Sequence, residues 1–149
     1  MSKKPFVSKE KLDEIAAQYA TPFYLYDEAA IRETARRVNK AFAWNQGFKE
    51  YFAVKATPNP AILKILHEEG CGADCSSYTE LQMADAVGFK GDEIMFSSNA
   101  TPAEDFQLAR QLNVTINLDD ITHIDFLEKV ADIPDTVSCR YNPGGHFAI

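Results

Sequence analysis

The fold is decided by the stretch Tyr51-Phe52-Ala53-Val54-Lys55-Ala56, in which a short apolar run is followed directly by a lysine. Runs of apolar or small residues recur about every 22 residues further along the chain. They lie at 73–76, 94–97, 115–118 and 137–141. Runs of this length are typical of strands that are buried in a parallel sheet.

Amphipathic stretches with helical spacing fill the gaps between these runs. We predict helices at 60–69, 78–87, 102–112 and 120–131. Two of them begin at Asn59-Pro60 and Thr101-Pro102, where a proline fits the first helical turn. Strands and helices that alternate at a fixed period predict parallel strands joined by helical crossovers.

Two architectures have this alternation, an open doubly wound sheet and a (β/α)8 barrel. The open sheet normally has a glycine-rich turn after its first strand. This chain instead has Lys55-Ala56-Thr57-Pro58-Asn59 at that position. A complete barrel needs about 250 residues, and the chain has 149. The sequence therefore predicts an α/β fold that consists of the first five βα units of an incomplete barrel.

The first 26 residues differ from the repeating part. We predict a helix that is capped by Ser8, and a short strand at 23–26 after the break at Thr21-Pro22. Asp27 then caps a long helix that runs to about Phe42. The predicted organisation is an N-terminal helix and strand at 1–26, and the N-terminal part of a barrel at 27–149.

Composition and charge exclude several classes of protein. The net charge of −7 and the absence of a basic stripe argue against a nucleic-acid partner. No apolar run approaches the ~18 residues of a membrane span, and no apolar run follows the basic start as in a secretory signal. The three cysteines are an odd number, and no second Cys/His pair has zinc-ligand spacing. We expect a soluble cytoplasmic protein without a metal.

Candidate site residues follow the predicted strands, because barrels place function at the carboxyl ends of their strands. Lys55 stands out, since it directly follows an apolar run where an ammonium group is normally excluded. A lysine that is desolvated in a barrel mouth can act as a nucleophile and form a Schiff base with a carbonyl. Equally, Lys55 could form a buried ion pair with Asp74 or Glu80. Asp74, Glu80 and Arg140 have a similar alternative as strand-end charges that bind loop amides.

Five stretches in order resemble one known family. They are Tyr51–Ala56, Gly72-Ala73-Asp74-Cys75-Ser76-Ser77-Tyr78-Thr79-Glu80-Leu81, Ile94-Met95-Phe96-Ser97-Ser98-Asn99-Ala100, Ile116-Asn117-Leu118-Asp119 and Arg140-Tyr141-Asn142-Pro143-Gly144. Together with the opening at 21–27, they are similar to the pyridoxal-phosphate-dependent decarboxylases that have an alanine-racemase-like barrel. Within that family, Arg140 with the three residues 142–144 most resembles the diaminopimelate decarboxylases. One departure is Thr57, where many relatives have asparagine.

The resemblance implies that Lys55 holds pyridoxal 5'-phosphate covalently and is the catalytic lysine. It also implies that Asp74 and Glu80 lie near the cofactor and that Arg140 lies close to the polar edge of its ring. The implied reaction removes the α-carboxylate of an amino acid as CO₂. The substrate that the resemblance favours is meso-diaminopimelate, which gives lysine. Ornithine, arginine or carboxynorspermidine decarboxylases are the alternatives, and the implied assembly is a homodimer.

Other parts of the family's site have no counterpart in these 149 residues. By resemblance these are the histidine that stacks on the ring, the glycine-rich phosphate loop, the glutamate at the pyridinium nitrogen and a C-terminal β domain. We therefore expect the 149-residue chain alone to be inactive. Two other readings stay open: a non-catalytic barrel that binds pyridoxal phosphate, and a sugar-phosphate-type barrel in which Lys55 is an ordinary ion-paired lysine.

Overall fold

A computed structural model describes residues 4–142 and 144. The matches at Pro143 and the residues after Gly144 lie outside the described residues. The helices are α1 (Lys9–Gln18), α2 (Glu28–Ala41), α3 (Pro60–Glu68), α4 (Tyr78–Val87), α5 (Ala103–Gln111) and α6 (Thr122–Ala131). The strands are β1 (Tyr51–Ala53), β2 (Gly72–Cys75), β3 (Ile94–Ser97), β4 (Thr115–Leu118) and β5 (Ser138–Cys139).

The five strands form one parallel sheet in the order β1-β2-β3-β4-β5. Each strand therefore pairs with the strand that follows it in the chain, and a helix lies between each pair. This is the strand order of the first part of a (β/α)8 barrel, and it confirms the predicted fold. All five strands end at the same edge, which we call the carboxyl edge.

The two faces of the sheet differ in polarity because successive side chains of a strand point to opposite faces. One face packs against the helices and carries buried apolar residues such as Ala73, Ile94, Phe96 and Ile116. The other face, here called the inner face, carries the half-buried side chains of the intervening positions. These are Asp74, Met95, Ser97, Thr115 and Asn117.

Several helix starts are fixed by the side chains that the sequence predicts. Ser8 and Asp27 accept backbone N–H groups of α1 and α2, as expected of cap residues. Asn59 does the same for α3, with Pro60 in the first turn. The last helix, α6, buries only Leu127, although Ile124 and Phe126 have the same apolar character. Both of those side chains are more than one-third exposed.

The predicted strand at 23–26 was wrong, because this segment has irregular structure and joins no strand of the sheet. Its side chains Tyr24 and Tyr26 stack on each other, with ring centroids 6.3 Å apart. Aromatic residues favour strands only where a neighbouring strand can pair with them. The helix α1 before this segment buries none of its residues.

Ion pairs attach α2 to the end of α3. Arg36 binds both carboxylate oxygens of Glu69, at 2.6 and 2.7 Å. Arg32 reaches Glu69 at 3.0 Å and Glu68 at 2.7 Å. Asn39 Nδ2 donates to the Glu69 carbonyl oxygen at 2.8 Å. Several charges that share partners in this way form a network, and such a network stabilises a fold more than isolated surface ion pairs do.

Candidate active site

The sequence-predicted site residues all lie at or just beyond the carboxyl edge. Asp74 is in the last half of β2, and Lys55 follows β1 by two residues. Arg140 directly follows β5, and Glu80 lies in the first turn of α4. Parallel pairing of all five strands is what brings these positions, far apart in the chain, to one edge of the sheet.

Lys55 lies in a short 3-10 turn, Val54–Ala56, that follows β1. Val54 in this turn is fully buried, whereas Lys55 is exposed. The expected burial of the lysine was therefore wrong, because the turn directs Val54 into the core and Lys55 away from it. Among the described residues Lys55 forms no ion pair, so the pairing with Asp74 or Glu80 is not present. Its amine is accessible.

Asp74 lies on the inner face, and its Oδ1 accepts a hydrogen bond from the Oγ of Ser97. Asp74 pairs in register with Met95, so Ser97 lies two residues further along the neighbouring strand. A comparable contact joins the next two strands, where Ser138 Oγ donates to Asn117 Oδ1 at 2.8 Å. The inner face near the carboxyl edge is therefore lined by hydrogen-bonded polar groups.

Glu80 contacts the loop between β2 and α4. Its Oε2 accepts the backbone N–H of Ser76 at 2.6 Å and the Oγ of Ser76 at 3.1 Å. In return, the Oγ of Ser77 accepts the backbone N–H of Glu80 at 3.4 Å. This is the role of a strand-end charge that binds loop amides. From α5, the buried Asp105 adds a further contact by accepting the Tyr78 N–H at 3.2 Å.

Arg140 and Asp119 form an ion pair at the ends of β5 and β4, with Nη1 and Oδ1 2.6 Å apart. The other oxygen of Asp119 accepts the side-chain N–H of Asn99 at 3.3 Å. A cavity of about 430 Å³ lies beside this pair and is lined by Asp119, Arg140, Tyr141 and Asn142 among others. The carboxyl edge thus carries two basic side chains. Arg140 is paired with Asp119, and Lys55 has no ion-pair partner among the described residues.

The buried thiols of Cys71 and Cys75 are poor nucleophiles. Burial is the main cause that raises the pKa of Cys75 to about 12, and the neighbouring Glu80 and Asp74 carboxylates add to it. Burial likewise raises the pKa of Cys71. A thiol with such a pKa stays protonated near neutral pH, and the thiolate is the reactive form. Cys139 on β5 is exposed.

In residues 4–142 and 144 no three His, Cys, Asp or Glu side chains are grouped so that they could hold a metal ion. Over the same residues, none of the helices has the length and apolar character needed to cross a membrane.

Sequence reasoning missed the contacts between side chains of neighbouring strands. Ser138 and Asn117 were not among the expected site residues, and Asp119 was named only as the end of a stretch that resembles the family. Their partners depend on strand register, which the period of about 22 residues does not specify. The alternation of polar positions along 115–118 is the one signal that could have identified Asn117 as an inner-face residue.

A protein-family model described as "Pyridoxal-dependent decarboxylase, pyridoxal binding domain" matches residues 28–147. The chain belongs to this family. The match spans every βα unit and contains the four expected site residues. Pyridoxal phosphate is therefore the cofactor that the family implies, and the resemblance found in the sequence is confirmed.

Several curated relatives are similar to the chain. "Protein TabA" of Pseudomonas amygdali pv. tabaci is 47% identical over 137 residues, which are 92% of this chain and 32% of the relative. Diaminopimelate decarboxylase of Methanothermobacter thermautotrophicus is 37% identical over 131 residues, which are 87% of this chain and 31% of the relative. The chain thus spans about a third of the length of the curated relatives it matches.

Solved structures agree with the fold. Diaminopimelate decarboxylase of Helicobacter pylori, crystallised with L-lysine, has a TM-score of 0.69 and 32% identity over 80% of this chain and 30% of that protein. Lysine decarboxylase of Selenomonas ruminantium has a TM-score of 0.76 over 86% of this chain and 33% of that protein. Its identity is only 23%, so this second likeness concerns the fold alone.

Proposed function

We propose that the intact protein containing these residues is a pyridoxal-phosphate-dependent decarboxylase that acts on meso-diaminopimelate. In this reaction the substrate loses one carboxylate as CO₂ and gains a proton at the same carbon, which yields lysine. The substrate is supported by relatives named diaminopimelate decarboxylase that are 32% to 37% identical over 87% to 95% of the chain. The use of the cofactor is supported above all by one observation, the position of Lys55 at the carboxyl edge without an ion-pair partner among the described residues.

The residues present fit pyridoxal phosphate. The cofactor carries an aldehyde, which needs an amine free of competing partners, and Lys55 offers one within the described residues. It also carries anionic oxygens, and the Arg140 guanidinium lies at the same edge. The inner face below the edge has hydrogen-bonding groups on Asp74 and Ser97. When bound, the cofactor supplies an electron sink for breaking the bond to the carboxylate.

Each site residue has a proposed task. Lys55 binds the cofactor through its amine, and Asp74 presents a carboxylate that Ser97 holds in place. Arg140 provides positive charge near the ring, with its direction fixed by Asp119. Glu80 contributes indirectly, because its carboxylate holds the loop after β2 in place. We further propose that the protein is cytoplasmic and forms a homodimer; light scattering of the purified protein would measure the latter.

Covalent labelling tests the proposed use of the cofactor. The intact protein is incubated with pyridoxal phosphate, reduced with borohydride and digested, and the modified peptides are identified by mass spectrometry. We expect the label on the peptide that contains Lys55, together with a visible absorbance band before reduction. Lys64→Ala is the matched control, since Lys64 is an exposed lysine on α3. A label that persists at the same level in Lys55→Ala would contradict the proposal.

Product analysis tests the proposed substrate. Diaminopimelate and ornithine are supplied side by side to the protein loaded with cofactor, and CO₂ and the amine products are measured. We expect lysine from diaminopimelate and a much slower reaction with ornithine. Ornithine is the relevant competitor because ornithine decarboxylase of Entamoeba histolytica has a TM-score of 0.71 and 27% identity over 83% of this chain. A faster reaction with ornithine would refute the assignment of diaminopimelate.

A further inference from the structure

Asp119 connects the ends of three consecutive strands. One carboxylate oxygen is 2.6 Å from Arg140 Nη1 after β5, and the other accepts the Asn99 side-chain N–H, from the segment after β3, at 3.3 Å. Asp119 itself directly follows β4. One oxygen therefore contacts the guanidinium as an ion pair, and the other accepts a hydrogen bond from a second neighbour. The carboxylate thereby determines where the Arg140 side chain lies.

The pair is unevenly exposed. The Asp119 side chain is 19% exposed and the Arg140 side chain is 46% exposed, so the carboxylate lies under the guanidinium. The cavity of about 430 Å³ borders both residues. The anchored carboxylate is therefore the buried support of the pair, and the guanidinium is the part that a ligand can reach.

Arg140 also keeps most of its hydrogen-bonding capacity. A guanidinium has about five N–H donors, and the ion pair with Asp119 joins a single nitrogen to a single oxygen. On the outer surface Arg36 differs, because it binds both oxygens of Glu69 with two nitrogens. Within the described residues the Arg140 side chain has no other ion-pair partner. Its remaining donors are free for an oxygen acceptor in the cavity.

We infer that Asp119 is a positioning residue that holds Arg140 against an anionic oxygen group of the bound cofactor or amino-acid substrate. This inference rests on the proposed function. The two ligands share one chemistry, since both carry anionic oxygens that a guanidinium binds well. Two measurements distinguish them. Loss of a contact to the cofactor raises the Kd for pyridoxal phosphate, and loss of a contact to the substrate raises the KM for the amino acid.

The test uses the intact protein and three variants. Asp119→Asn keeps the shape but removes the charge, Asp119→Glu restores the charge, and Glu69→Gln is the matched control. Glu69 is an ion-paired acid at the C-terminal end of α3, away from the carboxyl edge, and its carboxylate binds Arg36 and Arg32. We expect Asp119→Asn to raise the cofactor Kd or the substrate KM by about tenfold, because the ion pair that holds the Arg140 guanidinium is lost. Asp119→Glu should recover part of that loss.

The control separates positioning from a merely structural role. Glu69→Gln should lower the melting temperature while changing Kd and KM by less than about twofold. If Asp119→Asn behaves in the same way, the inference is overturned although the proposed function stands. If the unmodified protein binds no pyridoxal phosphate, both the proposed function and this inference are overturned.

Discussion

The carboxylate of Glu80 accepts both the backbone N–H and the Oγ of Ser76, four residues earlier in the chain. With Ser77 capping the N–H of Glu80 in return, the loop between β2 and α4 is closed by reciprocal hydrogen bonds. Such paired contacts stabilise a helix start because they satisfy N–H groups that have no partner within the helix. The loop begins two residues after Asp74, so these hydrogen bonds also hold the backbone next to the carboxyl edge in place.

Glu80→Ala is therefore expected to lower the free energy of unfolding by about 1 to 2 kcal/mol, since it removes the acceptor for two donors of Ser76. Glu80→Gln keeps an acceptor oxygen and should lose about half as much. Urea denaturation of the variants measures both losses. Glu104→Ala, at an exposed acid in the first turn of α5, is the control. An unchanged unfolding curve for Glu80→Ala would disprove the assigned role.

Gly72 lies in β2 where the chain leaves no room for a side chain. A Cβ at this position would be 2.7 Å from the carbonyl oxygen of Glu93 and 2.6 Å from the Tyr51 ring. Gly72→Ala should cost about 1 to 3 kcal/mol, because backbone atoms must shift to accept the methyl group. In Gly47→Ala the nearest atom would be 3.6 Å away, so this control should change stability little. Equal melting temperatures of the two variants would contradict the prediction.

The ion pairs between α2 and α3 predict a dependence of stability on pH. The guanidinium groups of Arg36 and Arg32 hold the pKa of Glu69 below its usual range. Because this pKa is lower in the folded than in the unfolded chain, the stabilisation is present at neutral pH. It is lost as the pH falls through the folded-state pKa.

Glu69→Gln isolates that contribution. The variant should be less stable than the unmodified chain at pH 7, and the difference should shrink as the pH is lowered below about 4. Chemical denaturation at a series of pH values measures the difference. Glu33→Gln, at an exposed position of α2, should show no such convergence. A gap that stays constant down to the lowest pH would rule out the ionised carboxylate as its source.

The 149-residue chain alone should not release CO₂ from diaminopimelate in the presence of pyridoxal phosphate. The resemblance places the phosphate-binding loop and the ring-stacking histidine of the family outside these residues, and the chain spans about a third of its relatives. A sensitive ¹⁴CO₂ release assay on the purified chain checks this, with the intact protein as the positive control. Measurable turnover above a Lys55→Ala background would show the expectation to be wrong.

Local sequence patterns predicted the helices and strands well, because each unit is self-contained. The predicted strand at 94–97 and the predicted helix at 78–87 match the structure to the residue. The strand predicted at 23–26 failed because β character without a pairing partner does not produce a strand. The tendency to form a helix or an extended segment is a local property of the sequence. The pairing of one strand with another depends on distant residues.

The site was harder to predict because it depends on surroundings and register. The apolar run before Lys55 suggested burial, but the 3-10 turn after β1 changes the direction of the side chain. The strand-end position of Arg140 was predictable, while its partner was not. Asp119 becomes that partner only because β4 and β5 pair with Leu118 opposite Cys139.

The strand order β1-β2-β3-β4-β5 affects how the chain can fold while it is being synthesised. Among the described residues every strand pairs with a strand that is one βα unit away, so these five strands need no distant segment to pair with one another. Chains with such near-neighbour pairing close short loops, which costs little entropy. Each of these βα units can add to its predecessor as it emerges from the ribosome.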